Sequence, residues 1–285
     1  MLWVFIIVGV IIVLKAAVLF CIAPGRMSKD VKSAARVFYG LNCAHRGLHT
    51  KDHHIPENSI PAFEAAKNGN YGVELDVQLS KDNQVVVFHD CDLKRVCGID
   101  IPVSNLDWQE LSSLLLYDTT ERIPLLKEAL ETLGDTPVIV ELKSAGEDNE
   151  LLCEETLQIL RKYGHRWCIE SYDPAIVAWF RKNAPDVPRG QLSCRPHELE
   201  GISGFRAFML GNLLTNFISR PHFIAYKYTR RPLLVKLCRL MKPMKIIWTL
   251  IPGHDISKSE KQNDTIIFEL YEPASRFQKK VTYLR

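Results

Sequence analysis

The sequence predicts an α/β barrel preceded by one membrane-spanning helix, and three observations carry that expectation. Its length of 285 residues suits one barrel of roughly 250 residues with a short extension. After residue 40, short runs rich in Val, Ile and Leu alternate with helix-like segments, the pattern of parallel βα units. Before residue 25 the chain is almost wholly apolar.

Leu2 to Ala23 form that apolar stretch, and a run of about 20 such residues is what crosses a bilayer as a helix. Lys15 is its only charge, at a cost of about 2.5–3.5 kcal/mol near a bilayer centre. No Lys or Arg precedes Lys15, so the stretch lacks the basic start of a signal peptide. Arg26, Lys29, Lys32 and Arg36 follow it, which places the rest of the chain on the cytoplasmic side. The division expected is an anchor over residues 1–24, a linker over 25–40 and the barrel domain over 41–285.

Nine segments read as strands: Leu41–His45, Gly72–Leu79, Gln84–His89, Pro137–Leu142, Trp167–Ser171, Gly190–Cys194, His222–Tyr226, Lys245–Leu250 and Thr265–Leu270. Helices are expected over Ser59–Asn68, Leu106–Leu115, Pro124–Leu133, Glu147–Tyr163, Pro174–Asn183, parts of Gly204–Ser219, and Leu233–Met241. Nine strands exceed the eight positions of a barrel, so one segment must lie outside it.

The eight Cys are scattered without a C-x-x-C pair and read as buried free thiols of a reducing compartment. A net charge of +3 does not by itself imply a nucleic-acid partner, and no nucleic-acid-binding motif is present. Charge distribution is more informative. From Phe205 to Trp248 there are nine Lys or Arg and no Asp or Glu, interleaved with apolar residues. Two ordinary helices with basic outer faces or a surface facing anionic lipid would each give this pattern.

The residues with chemistry to offer concentrate between Cys43 and Asp90. Glu74 and Asp76 are two apart in a strand and therefore share a face. Glu141 and Lys143 repeat that geometry at the end of another apolar strand. Three carboxylates converging at one barrel mouth would repel one another, so a cation is the natural solution. All-oxygen ligands favour Mg²⁺ or Ca²⁺, with Mn²⁺ also admissible, over Zn²⁺. His45 and His89 each close an apolar run, and a pair of His suits phosphoryl transfer, which needs a base and an acid. Arg46 and Lys143 could bind phosphate oxygens, and Gly47 allows close backbone approach. His49, His53 and His54 read as a solvated loop, and Trp108, Trp167 and Trp179 as core.

In this order and spacing His45-Arg46-Gly47, Pro56-Glu57-Asn58-Ser59, Glu74-x-Asp76, His89-Asp90, Glu141-x-Lys143 and Trp248-Thr249 resemble the glycerophosphodiester phosphodiesterases, over about Leu41 to Leu250. The resemblance implies a (β/α)8 TIM barrel of the phospholipase C-like phosphodiesterase type. It gives Glu74, Asp76 and Glu141 a divalent ion, His45 and His89 acid/base roles, and Arg46 and Lys143 the phosphate. It gives Trp248 a substrate contact and Glu57 a supporting place. Two stretches depart from the family pattern: the insertion after His89 is very short or missing, and the last strand reads Thr265-Ile266-Ile267-Phe268-Glu269 in place of a Gly-Asp-Gly segment.

The expected activity is hydrolysis of glycerophosphodiesters to glycerol 3-phosphate and an alcohol. The apolar span and the basic segment also admit a membrane lysophospholipid as substrate, cleaved to lysophosphatidic acid. A non-catalytic lipid- or phosphodiester-binding barrel is the third reading, opposed by the intact set of site residues.

Overall fold

The computed structural model describes residues 1–144, 149–164, 166–199 and 201–278. Among the described residues nine strands form: β1 (Leu41–His45), β2 (Gly72–Leu79), β3 (Val85–Val87), β4 (Val138–Leu142), β5 (Trp167–Ser171), β6 (Arg189–Ser193), β7 (Phe223–Lys227), β8 (Met244–Leu250) and β9 (Thr265–Phe268). Eight run parallel in a closed ring, because β1 is bonded both to β2 and to β9. The surplus strand is β3, which pairs antiparallel with β2 outside the ring. The divergent last segment closes the ring in regular register with β1, Leu41 opposite Thr265 and Ala44 opposite Phe268, and pairs with β8 through a register shift between Ile247 and Leu250. These strands are near-continuous Val, Ile and Leu because both of their faces are covered.

The two faces divide by the two-residue period of a strand. One set, including Val73, Leu75, Val138, Val140 and Ile169, packs outward against the helices. The alternate set points into the barrel. Its lower layer is apolar, with Cys43, Ile139, Cys168, Phe223 and Ile246, while its upper layer carries the charged side chains. Gly190 is required there, since a Cβ would overlap the Phe223 ring.

Helices return outside the ring: Ile60–Asn68, Leu126–Leu133, Asn149–Leu160, Pro174–Asn183, Gly204–Gly211 with Asn216–Ser219, Leu233–Leu240 and Ile256–Gln262. Local chemistry starts several of them. The Ser59 hydroxyl accepts from Ala62 N, and the Asp173 carboxylate from Ala175 N with Pro174 next in the chain. Leu126, Ala129, Leu130 and Leu133 form one buried stripe at helical spacing. The start placed at Glu147 lies outside the described residues.

Three expectations change. Residues 25–40 are not an open linker, because a helix over Lys29–Ala35 leads into a 3₁₀ turn whose Phe38 is fully buried under the barrel floor. The expected helix Leu106–Leu115 reduces to one turn, Trp108–Leu111, started by an Asp107/Glu110 capping box and followed by Ser112-Ser113. Residues 88–125 do form an insertion, a small lobe with its own core of Phe88, Leu93, Val96, Leu111, Leu116 and Ile123.

The N-terminal helix spans Leu2–Ile22, with exposed side chains over most of its length and Ile22 fully buried. Its last turn is fastened to the barrel. Asn216 Nδ2 donates to the Ile22 carbonyl at 2.9 Å, and Arg220 Nη1 to the Phe20 and Ala23 carbonyls at 2.9 Å each.

Candidate active site

Strand register assembles the charged layer. His45 lies opposite Glu74, Asp76 opposite Glu141, and Glu141 opposite Glu170, so β1, β2, β4 and β5 each bring a polar group to the same end of the barrel. Oxygens of Glu74, Asp76 and Glu141 all lie within 4.8 Å of one another, and all three residues are buried. At that separation each ionised pair repels by about 3 kcal/mol at an effective dielectric of 20. Burial and the neighbouring carboxylates push Glu74 well above the usual carboxylate range. Burial pushes Glu170 the same way, reinforced by Glu141. Asp76 goes the other way: burial disfavours its charge, but Lys143, His89 and Arg46 hold it well below that range. Lys143 Nζ bridges Asp76 at 2.9 Å and Glu141 at 2.7 Å.

These residues fit a hard divalent cation. When ionised, the four carboxylates of Glu74, Asp76, Glu141 and Glu170 outnumber the Lys143 and Arg46 cations beside them, and a divalent ion would favour that ionised state. One Glu170 oxygen is buried without a hydrogen-bond partner, and the donor set is all oxygen.

Arg46 is placed by backbone geometry. It takes a left-handed φ of 54°, followed by Gly47 at 79°, where a Cβ would meet Ala62 at 2.7 Å. This turn aims the Arg46 N–H at Glu74 Oε2 at 3.1 Å and its guanidinium at Glu57, at 2.7 Å, and Asp76, at 3.3 Å. Asn58 Nδ2 donates to Asp76 at 2.8 Å.

Each His has a carboxylate behind it. His45 Nδ1 lies 2.8 Å from Glu269 Oε2, and His89 Nδ1 lies 2.6 Å from Asp90 Oδ1. Burial, with Arg46, lowers His45 to about 4, so its imidazole is neutral at neutral pH. Although burial opposes it, the His45 bond holds Glu269 below its usual range; the carboxylate accepts, Nδ1 donates, and Nε2 keeps its lone pair. Arg95 ties the two halves together, bonding Asp90 at 2.6 Å and Glu57 at 2.7 Å. Against the effect of burial, Arg95 and Arg46 hold Glu57 down at about 2.

The cavity above this layer measures about 1050 Å³. His45, Arg46, Glu74, His89, Glu141, Lys143 and Trp248 line it, whereas Asp76 and Glu57 stand behind that surface. The Trp248 ring is edge-on to Tyr172 at 6.0 Å. With Leu192, Leu199, Ile202 and Leu210 these aromatics make one wall apolar.

Sequence reasoning missed Glu170, Glu269, Arg95 and the position of His49, and it quoted Asp90 in a motif without assigning it a role behind His89. Glu170 and Glu269 had a usable signal, since each ends an apolar run just as His45 and Glu141 do. His49 is not a solvated loop residue: its side chain is 7% exposed and its Nε2 lies 3.6 Å from Glu269. His53 stacks on Tyr117 at 3.9 Å.

Comparison with known proteins gives the family and the fold. The sequence pattern of the Glycerophosphoryl diester phosphodiesterase family matches residues 45–207. The chain is 32% identical to Lysophospholipase D GDPD1 of Homo sapiens over 149 residues, covering 46% of each chain, so it spans under half the length of that relative. It is 32% identical over 163 residues to a Glycerophosphodiester phosphodiesterase of Caldanaerobacter subterraneus subsp. tengcongensis, covering 53% of this chain and 66% of that one. Among solved structures, an Oleispira antarctica phosphodiesterase in complex with the product sn-glycerol-3-phosphate superposes with a TM-score of 0.67 at 21% identity, covering 84% of this chain and 96% of that one.

Proposed function

Because the chain belongs to the glycerophosphoryl diester phosphodiesterase family, we propose that it is a metal-dependent hydrolase that converts glycerophosphodiesters to glycerol 3-phosphate and an alcohol. The observation that carries this reading is the buried Glu74, Asp76 and Glu141 cluster flanked by two carboxylate-backed imidazoles. These three carboxylates would hold a divalent ion, Mg²⁺ or Ca²⁺ with Mn²⁺ also admissible. Such an ion polarises phosphoryl oxygens when bound.

The chain's own groups divide the remaining work. Lys143 and Arg46 hold the non-bridging oxygens, with Glu57 and Asp76 fixing the direction of the guanidinium. His45, neutral and with Nε2 unprotonated, takes the proton of the attacking group, which is water in a single displacement or a substrate hydroxyl whose cyclic phosphodiester is then opened by water, while Glu269 stabilises the imidazolium that forms. His89, with Asp90 behind it, returns a proton to the leaving alkoxide. Trp248 packs against the organic part of the substrate.

A second reading has the same site and a lysophospholipid as substrate. Its support is the apolar wall of Leu192, Leu199, Ile202 and Leu210, which suits a chain that a water-soluble diester lacks, together with the named activity of the human relative. The exposed apolar helix Leu2–Ile22 serves as a membrane anchor in both readings, with the barrel on the cytoplasmic side.

The test is product analysis of the full chain in detergent with Mg²⁺ or Ca²⁺. Glycerol 3-phosphate from glycerophosphocholine supports the first reading, and lysophosphatidic acid from micellar lysophosphatidylcholine the second. Binding of both without turnover would instead make the barrel a binding module.

A further inference from the structure

We propose that one flank of the barrel, formed by Gly204–Ser219 and Leu233–Met241, is a surface that lies on an anionic bilayer beside the pocket mouth. The barrel would then be seated on the membrane by its own face as well as by the N-terminal helix. The inference rests on the anchored-enzyme reading only for its consequence for catalysis.

Exposed hydrophobics scattered singly are ordinary, but a concentration of them is not. Outside the N-terminal helix, ten large hydrophobics among the described residues are exposed, and seven of them lie on these two stretches. They include Phe205 at 76%, Leu233 at 70% and Leu240 at 75% exposure, with Phe208, Phe217 and Ile218. These stretches already bury Leu213, Leu214, Val235 and Cys238 around Ile224 of β7, and of the exposed set Phe217 also meets the Phe20 ring of the N-terminal helix at 6.4 Å.

Two independent features identify the occupant. The first is continuity: Val18, Cys21 and Ile22 of the apolar N-terminal helix pack into this same cluster, and Asn216 and Arg220 bond its last carbonyls. A bilayer holding that helix is therefore brought to this flank. The second is charge. The segment from Phe205 to Trp248 has nine Lys or Arg and no acidic residue, with Arg230 and Lys236 exposed. Each basic residue near an anionic surface contributes about 1 kcal/mol. A second copy of the chain fits less well, because a two-fold interface would set this basic face against itself.

The flank reaches the pocket through the helix Gly204–Gly211. Phe205 and Phe208, three residues apart, share its outer side, whereas Arg206 and Leu210 line the cavity. A lipid substrate could thus pass from the bilayer to the apolar wall without crossing water.

Photo-crosslinking of the full chain in phosphatidylglycerol/phosphatidylcholine vesicles tests this directly. p-Benzoylphenylalanine placed at 205, 208 or 240 should give lipid adducts at least about fivefold above those at 115 or 162. Equal yields, or adducts to a second copy of the chain, would overturn the proposal. The F205S/F208S variant should lose at least about fivefold on lysolipid in vesicles and retain glycerophosphocholine turnover; equal loss on both would also overturn it. If the parent hydrolyses neither substrate, the proposed function fails and the adduct pattern still decides the membrane contact.

Discussion

Glu269→Gln isolates the role of the carboxylate behind His45. The amide has nearly the same volume and can still accept from Nδ1, so the 2.8 Å contact survives and only the charge is lost. A hydrogen bond to a charged partner contributes about 1.5–3 kcal/mol, against about 1 for a neutral one. The difference applies mainly when His45 becomes positive, in the transition state. A loss of about 1–2 kcal/mol there lowers kcat by roughly five- to thirtyfold with KM nearly unchanged. Steady-state kinetics on glycerophosphocholine, with circular dichroism to confirm folding, measures this. H45A and H45A/E269Q should be equally impaired, because the carboxylate acts through the imidazole. An unchanged kcat, an effect confined to KM, or additive losses in the double variant would refute the assignment of His45 as the base.

Arg95→Met should lower kcat by roughly tenfold, the equivalent of one hydrogen bond, while a thermal melt stays close to that of the parent; a collapsed melt would make Arg95 structural instead. His222 tests the barrel floor: burial, with Arg189, lowers it to about 3, so the folded state takes up its proton reluctantly. The unfolded chain binds that proton below about 6.5, so the stability is fully present above that pH and is lost as pH falls toward 3. Between pH 7 and pH 4 the loss amounts to about 3 kcal/mol, and H222Q should remove that part of the slope in urea melts; an unchanged slope would contradict it.

Much of this site was legible because it sits on strands. A period of two fixes which residues share the barrel interior, so Glu74, Asp76 and Glu141 could be placed together before any coordinates. The excess of strands over barrel positions was also legible, but only pairing direction shows that β3 is the extra one. Loop residues carry no such period. Arg95 reaches Glu57 across 38 positions, and nothing local in Lys94-Arg95-Val96 marks it. His49 was misjudged because a polar local sequence does not reveal that Glu269, far along the chain, covers it. The floor formed by Ala35 and Phe38 was hidden for the same reason, since it is set by contact with β7 and β8.

The most direct test of the account is activity against metal content. The full chain, stripped with chelator until no divalent ion is detectable, should hydrolyse no glycerophosphodiester. It should regain turnover with one equivalent of Mg²⁺, Ca²⁺ or Mn²⁺ bound, and E74Q, D76N and E141Q should each bind the ion more weakly. Sustained turnover by the metal-free chain would contradict the central claim.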